Sequence, residues 1–216
     1  MIFGKIEYLN LLPFHLFMKR FTRTMQEKAI MHYKKDVPAK INQKFAYRRV
    51  DAAFISSIAA KKQKSIKLGI IAKKEVRSVL VVPSNRNKND VESASSNILA
   101  KILKQDGEVL IGDKALHYAL ENSNYIDLAK LWNDKTNLPF VFALLCYHKD
   151  KKIYKKIEKE FLKKKQKIPR YLLEEASRKT GISPKEILNY LKLISYKLDT
   201  KAKLGLKKFY NEAKKI

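Results

Sequence analysis

The sequence predicts an α/β protein with a mostly parallel sheet, divided into two lobes. Short strand-like and helix-like segments alternate over the first half of the chain, which is typical of a layered α/β fold. An apolar strand that ends at Pro83 is followed by a polar linker, Ser84–Asn89, and this change of composition indicates a boundary between lobes. From Lys151 onward the pattern is helical only.

The elements of the first lobe follow from the spacing of apolar residues. Compact runs of β-branched and aromatic residues predict strands, and apolar residues at helical spacing predict helices. A proline in the first turn supports the start of both helices. In chain order we expect strands at Ile2–Ile6, Ala29–Tyr33, Asp51–Ile55, Leu68–Ala72 and Val79–Val82, with helices at Pro13–Phe21 and Pro38–Arg49.

The second lobe is small. At about 60 residues it is more plausible as a lobe packed on its neighbour than as an independent domain. The predicted arrangement is a first lobe of residues 1–80 plus 142–216 and a second lobe of residues 81–141. Within and after the second lobe we expect a helix behind Ser93, strands at Val109–Ile111 and Leu138–Tyr147, and helices at Ala115–Leu120 and Asp127–Trp132.

The C-terminal segment carries clear helix boundaries. A helix at Tyr171–Arg178 is closed by Gly181, and Ser183 with Glu186 forms a capping box for the next helix. Two helices around a glycine-containing turn also match a loose helix-turn-helix pattern, so DNA binding stays open as an alternative. The second helix offers few side chains for reading bases, namely Lys185, Asn189 and Lys192.

Composition limits the classes of function. The 216 residues contain 47 Lys and Arg against 21 Asp and Glu, a net charge of +26, which favours anionic partners without choosing among them. The aromatic residues are not interleaved with the lysines as a base-stacking surface would require, so we expect no nucleic-acid partner. The single cysteine excludes an intrachain disulfide, and the four histidines have no metal-ligand spacing. We therefore expect neither metal nor cofactor.

The chain shows no targeting or membrane signal. Its N-terminus runs directly into a strand without the basic and apolar regions of a signal peptide. No apolar run approaches the roughly 20 residues that span a bilayer. We expect a cytoplasmic protein with no membrane partner.

A serine-rich segment marks the most distinctive helix start. Ser93, Ser95 and Ser96 precede the apolar positions of a helix, and one of them is expected to cap it. Free backbone N–H groups, the helix dipole and several hydroxyls together suit a carboxylate or phosphate. Capping alone is the simpler alternative.

Three loops at the carboxyl ends of predicted strands face the same edge of the sheet. They contain Asn10, the pair Ser56 and Ser57, and Ser78. Ligands of open α/β sheets bind at this edge. The sequence thus predicts a cleft between these loops and the serine-rich helix start.

Seven short motifs lie along nearly the whole chain. They are Tyr8-Leu9-Asn10 with Pro13, Val50–Ser57, Val76–Val79, Glu92–Asn97, Gly112-Asp113, Asp127-Leu128 with Trp132, and Leu138–Ala143. In this order they resemble the chorismate dehydratases of the futalosine route to menaquinone. The resemblance implies a two-lobed fold like type II periplasmic binding proteins, with a cleft between the lobes. Ser95 stands where the family pattern has Thr, which retains a hydroxyl.

The resemblance also implies an activity and its residues. Chorismate, a dicarboxylate, would lose water to give 3-[(1-carboxyvinyl)oxy]benzoate. Asn10 and Ser78 are the implied catalytic residues. The implied substrate-binding residues are Ser56, Ser57, Ser93, Ser95, Ser96 and Asn97.

The matched motifs supply no obvious general base. All of these side chains are uncharged, and Asp113 as an anion would repel a dianionic substrate. We therefore hypothesise that the enolpyruvyl carboxylate of chorismate takes the ring proton, while the protein orients the substrate. The rival function is an intracellular binding protein or sensor for a small carboxylate, with the same fold and no chemistry. The oligomeric state has no signal in the sequence.

Overall fold

A computed structural model describes residues 1–24 and 32–216. They form a six-stranded and a three-stranded sheet with helices packed around them, so the predicted α/β class is confirmed. The strands of the described residues are β1 Ile2–Lys5, β2 His32–Lys35, β3 Ala52–Ser56, β4 Ser65–Ala72, β5 Val79–Val82, β6 Glu108–Ile111, β7 Ile126–Asp127, β8 Phe140–Tyr147 and β9 Ile194–Lys197.

Two helices begin at the capping residues that the sequence indicates. Ser93 accepts a hydrogen bond from the Ser96 N–H, and Ser183 with Glu186 forms the predicted capping box. A 3-10 helix, Leu9–Leu11, precedes the first α-helix. The α-helices of the described residues are α1 Leu12–Thr24, α2 Pro38–Ala46, α3 Ser57–Ala60, α4 Ala94–Leu103, α5 Gly112–Glu121, α6 Leu128–Thr136, α7 Lys151–Lys163, α8 Arg170–Thr180, α9 Pro184–Leu193 and α10 Thr200–Glu212.

Strand direction in the six-stranded sheet gathers several loops at one edge. The strand order is β2-β1-β3-β8-β4-β9. Strand β8 is antiparallel to both of its neighbours, β3 and β4, and β3 is parallel to β1. Therefore β1, β3 and β4 all end at the same edge, and β8 and β9 begin there. The three loops expected to bear the site follow β1, β3 and β4.

The three-stranded sheet, in the order β6-β5-β7, forms the centre of the second lobe. Strand β5 pairs antiparallel with β6, and Val79 lies opposite Ile111. This pairing places the residue before β5, Ser78, beside the residue after β6, Gly112. The Gly112 N–H donates a hydrogen bond to the Ser78 carbonyl over 2.9 Å.

Aromatic side chains join the helices to the sheets. The Phe14 ring on α1 lies edge-on to Phe54 of β3 and Phe161 of α7, with centroids 4.9 and 5.3 Å apart. The buried Trp132 of α6 packs in the same way on Phe140 of β8, at 5.5 Å. These contacts tie the C-terminal helices and the second lobe to the six-stranded sheet.

Two predictions about the sheet are wrong. The large sheet is not mostly parallel, since among the described strands only β1–β2 and β1–β3 pair in parallel. The reason is that the chain leaves β4 for the second lobe and returns as β8 between β3 and β4. The C-terminal segment is not helical throughout, because Ile194–Lys197 forms β9. This strand pairs with the otherwise open edge of β4, which Ile and Tyr side chains favour.

The chain crosses between the two sheets at residues 73–78 and again at 137–139, because β5 belongs to the small sheet and β8 to the large one. These crossings are near the predicted limits of the lobes, residues 1–80 plus 142–216 and 81–141, which remain a prediction. Of the strand expected at Ala29–Tyr33, residues 29–31 lie outside the described residues. No helix in the described part of the chain is long and apolar enough to cross a membrane.

Candidate active site

A small cavity of about 80 Å³ lies between the two lobes. Its described lining contains no charged side chain. The polar residues that line it are Tyr8, Asn10, Ser56, Ser78, Ser93 and Ser96. The remaining lining includes Phe54, Phe142 and several aliphatic side chains. An apolar wall with a few convergent hydroxyl and amide groups is typical of a small-molecule site, although such sites usually measure about 300–1,000 Å³.

Helix α2 fixes the Ser56 side of the cavity. The Asn42 side chain donates through Nδ2 to Ser56 Oγ over 2.7 Å, and its Oδ1 accepts from the Ser56 N–H over 3.1 Å. The hydroxyl and the backbone N–H of Ser56 are thus both held by the Asn42 amide. Ser56 is 8% exposed and ends β3, at the edge where the loops meet.

A buried carboxylate shapes the turn that leads into Ser78. Asp127 Oδ2 accepts from the N–H groups of Val76 and Arg77 over 2.8 and 2.7 Å. Its Oδ1 accepts from Ala129 and Lys130 at the start of α6. Arg77 has a φ of 58°, a left-handed conformation that a non-glycine residue adopts at some cost. Asp127 stabilises that turn and so fixes the direction in which Ser78 points.

Three tyrosine hydroxyls from the C-terminal segment reach these loops. Tyr190 on α9 donates to Ser78 Oγ over 2.9 Å. Tyr196 on β9 donates to the Asn10 carbonyl over 2.6 Å, and Tyr210 on α10 donates to the Ser57 carbonyl over 2.9 Å. The C-terminal segment therefore contacts each loop that carries a predicted site residue of the first lobe.

The serine-rich start of α4 contributes hydroxyls in two directions. Ser93 Oγ and Ser96 Oγ lie 2.7 Å apart and both residues line the cavity. Ser95 instead pairs with Ser57, Oγ to Oγ at 3.0 Å, and accepts from the Ile58 N–H at 3.1 Å. Ser57 and Ser95 thus join the starts of α3 and α4, and neither is among the described residues that line the cavity.

Asn97 holds the loop before α4. Its Oδ1 accepts from the Asp90 N–H over 2.9 Å and its Nδ2 donates to the Asp90 carbonyl over 2.7 Å. Asp90 in turn forms an ion pair with Lys114 on α5 at 2.6 Å. The side chain of Asn97 is therefore engaged with the backbone and does not face the cavity lining described above.

Tyr8 closes one side of the cavity. Its hydroxyl donates to the carboxylate of Glu92, and its ring lies against Gly112. A Cβ on Gly112 would stand 2.8 Å from Tyr8 Cζ, and the φ of Gly112 is +68°, so glycine is required there. Beside it, Asp113 Oδ1 accepts from the Leu9 N–H over 3.1 Å. Burial raises the pKa of Asp113 to about 6, and the Leu9 hydrogen bond opposes that shift.

A second and larger cavity of about 640 Å³ lies on the other side of Tyr8. Tyr8 and Asp113 line it together with side chains of α1 and α8. Unlike the inner cavity it is bordered by several lysines, namely Lys5, Lys19, Lys35 and Lys179. None of the predicted site residues lines it, so we treat the inner cavity as the candidate active site.

Comparison with known proteins identifies the family. A model of the menaquinone biosynthesis family matches residues 1–103 and 85–215. The chain belongs to this family. A relative named chorismate dehydratase, from Campylobacter jejuni subsp. jejuni serotype O:23/36 (strain 81-176), is 49% identical over 220 residues. That alignment covers 100% of this chain and 99% of the relative. The family resemblance noted from the sequence motifs is thus confirmed.

Solved structures define the fold of this menaquinone biosynthesis family member. A protein of Archaeoglobus fulgidus superposes with a TM-score of 0.75 at 14% identity, covering 99% of this chain and 96% of the other. The periplasmic aliphatic sulphonate binding protein SsuA of Escherichia coli gives 0.57 at 12% identity, covering 98% and 85%. The fold predicted from the sequence, like that of periplasmic binding proteins, is confirmed.

The structure brings together part of the predicted site. Five of the eight predicted residues line the cavity, Asn10, Ser56, Ser78, Ser93 and Ser96, whereas Ser57, Ser95 and Asn97 do not. The role of each remains a prediction. Sequence reasoning did not single out Asn42 or Tyr190. A signal existed for Tyr190, because a tyrosine three residues after the apolar Ile187 falls on the buried helix face, where its hydroxyl needs a partner. Asn42 had no such signal.

Among residues 1–24 and 32–216, no group of three or more His, Cys, Asp and Glu side chains is placed to hold a metal ion.

Proposed function

We propose that this protein is a chorismate dehydratase, a hydro-lyase that converts chorismate into 3-[(1-carboxyvinyl)oxy]benzoate in menaquinone biosynthesis. The observation that carries the proposal is the 49% identity to a named chorismate dehydratase over the full chain. The geometry of the inner cavity supports it. Hydroxyl and amide groups suit the carboxylates and hydroxyl of chorismate, and the apolar side chains suit its ring.

The uncharged lining favours a reaction in which the substrate supplies its own base. Chorismate must lose the proton on the ring carbon that bears the enolpyruvyl ether, and the hydroxyl on the neighbouring carbon. We propose that the enolpyruvyl carboxylate accepts that proton. The electron pair of the broken C–H bond then forms the third double bond of the ring as the C–O bond breaks. The departing hydroxide takes the proton and leaves as water.

The protein's contribution in this scheme is orientation and hydrogen bonding. Asn10 both donates and accepts, so it is suited to hold the enolpyruvyl carboxylate or the departing hydroxyl. Ser78 lines the same cavity and would donate to the same region of the substrate. Ser93 and Ser96 at the start of α4, with Ser56 opposite, would bind carboxylate oxygen where the helix dipole is favourable. The proposed substrate-binding role of Ser57, Ser95 and Asn97 would be indirect, through the contacts that fix the loops.

Incubation of the purified protein with chorismate tests the proposal. We expect catalytic loss of chorismate and formation of the aromatic enol ether. Both are measured by chromatography and ultraviolet absorbance. Stoichiometric binding with unchanged ligand would instead identify a binding protein or sensor. If the protein neither bound nor converted chorismate, both functions would be refuted.

A further inference from the structure

Tyr190 lies directly behind the candidate active site. It is 3% exposed and is not among the described residues that line the cavity. Its hydroxyl donates to Ser78 Oγ over 2.9 Å. A buried hydroxyl therefore contacts one of the two residues proposed to be catalytic.

We propose that Tyr190 is a positioning residue that orients the Ser78 hydroxyl toward the substrate. This role rests on the proposed dehydratase function. A serine hydroxyl has one proton and two lone pairs. Because Ser78 Oγ accepts from Tyr190, its own proton remains available, and no acceptor for it is found among the described residues. Ser78 is therefore able to donate a hydrogen bond through that proton to a ligand in the cavity.

The surroundings of Tyr190 favour a fixed donor. Burial raises the pKa of Tyr190, while the hydrogen bond with Ser78 acts in the opposite direction, and the hydroxyl stays protonated at neutral pH. The capping box at Ser183 and the fully buried Ile187 anchor α9. Tyr196 on the following strand holds the Asn10 carbonyl. The backbone of Asn10 is thus also held by the C-terminal segment.

The experiment is a double-mutant cycle with Tyr190→Phe, Ser78→Ala and the combined variant. Tyr190→Phe removes only the hydroxyl, and we expect kcat to fall about tenfold, with a smaller change in KM, as for one lost orienting hydrogen bond. In the Ser78→Ala background, Tyr190→Phe should lower kcat less than about threefold, because the hydrogen-bond partner of the Tyr190 hydroxyl is already absent. Tyr154→Phe is the matched control, since that buried hydroxyl contacts Met1 Sδ instead.

Thermal unfolding separates positioning from stability. A purely structural role would lower the melting temperature and leave kcat per folded molecule unchanged, which would overturn the proposal. Independent, multiplicative effects of the two substitutions would also overturn it.

A crystal structure of the wild-type protein with bound product gives a second readout that needs no variant. We expect Ser78 Oγ within about 3.2 Å of both the Tyr190 hydroxyl and the ligand. A structure in which Ser78 Oγ points away from the Tyr190 hydroxyl or from the ligand would contradict the proposed role of Tyr190. Failure of the proposed function is recognised separately, because the wild-type protein would then not convert chorismate.

Discussion

The hydroxyl of Tyr8 donates a hydrogen bond to the carboxylate of Glu92, 84 positions later in the chain. Tyr8 follows β1 in the first lobe, and Glu92 precedes α4 in the second. Tyr8 lines both the inner cavity and the larger cavity of about 640 Å³, so this bond joins the lobes at the boundary between the two cavities. The inner cavity of about 80 Å³ is smaller than typical small-molecule sites of about 300–1,000 Å³, so we expect the loops around it to separate when chorismate enters.

Tyr8→Phe should weaken the closed arrangement. A hydrogen bond to a charged acceptor contributes about 1.5–3 kcal/mol, so we expect the affinity for a non-reacting chorismate analogue to fall about tenfold or more. In the wild-type protein, small-angle scattering should show a smaller radius of gyration when the analogue is bound. Tyr171→Phe, on an exposed side chain, is the control. An unchanged radius at saturation together with unchanged affinity of Tyr8→Phe would contradict closure at this contact.

Asn10→Ala and Ser78→Ala test the catalytic assignments. In the proposed mechanism each of these side chains would face developing charge, and loss of such a donor costs about 10²–10³ in kcat. We expect falls of this order in steady-state turnover of chorismate, with binding measured separately by calorimetry. Ser123→Ala, on an exposed loop, serves as control. Turnover within about twofold of the parent, with binding intact, would show that the assignment is wrong.

The fold was predictable where local signals agree with tertiary structure. The start of α4 at Ser93, the capping box of α9 and the turn at Gly181 all follow from residue type and spacing. Strand β9 was not predictable, because Ile194 continues the apolar spacing of α9. What decides its conformation is the edge of β4, which local sequence does not describe.

The sequence predicts the site residues that follow the ends of strands, but not which other side chains face the cavity. Asn10, Ser56 and Ser78 lie at one edge because β1, β3 and β4 point the same way. Which serines of the α4 start face the cavity depends on how two helix termini meet. Ser95 bonds to Ser57 while Ser93 and Ser96 turn inward, and spacing alone does not distinguish them. Tyr190 is 112 positions from Ser78, a contact that only the tertiary structure reveals.

Asp113 should make stability depend on pH in the acid range. Its pKa is raised from 3.8 to about 6, so between these values the folded protein binds more protons than the unfolded chain. The contribution of this group is therefore fully present below about pH 4 and is lost as pH rises through about 6. We expect Asp113→Asn to flatten the profile of unfolding free energy over this window, measured by urea denaturation.

The matched control for this prediction is Asp134→Asn, because Asp134 is an exposed carboxyl on α6. It should leave the wild-type profile unchanged. An Asp113→Asn profile parallel to that of the wild-type protein from about pH 4 to about pH 7 would contradict the raised pKa.

The net charge of +26 should affect substrate capture only modestly. No charged side chain is found among the described residues that line the inner cavity, so added salt acts on chorismate through screening over about 8–10 Å. If the charge instead served duplex DNA, binding would fall by several decades over a few-fold rise in salt. Helix α9 directs the Tyr190 hydroxyl to Ser78 behind the cavity, and Lys185, Asn189 and Lys192 are its exposed candidates for reading bases. Two of these, Asn189 and Lys192, already bond to each other.

We expect KM for chorismate to change less than about threefold between roughly 50 and 500 mM KCl, and Lys185→Ala with Lys192→Ala to leave it unaltered. Fluorescence anisotropy with a labelled duplex is the parallel measurement. Tight binding at physiological salt, with a steep slope that these two substitutions reduce, would make α8 and α9 a DNA-binding element.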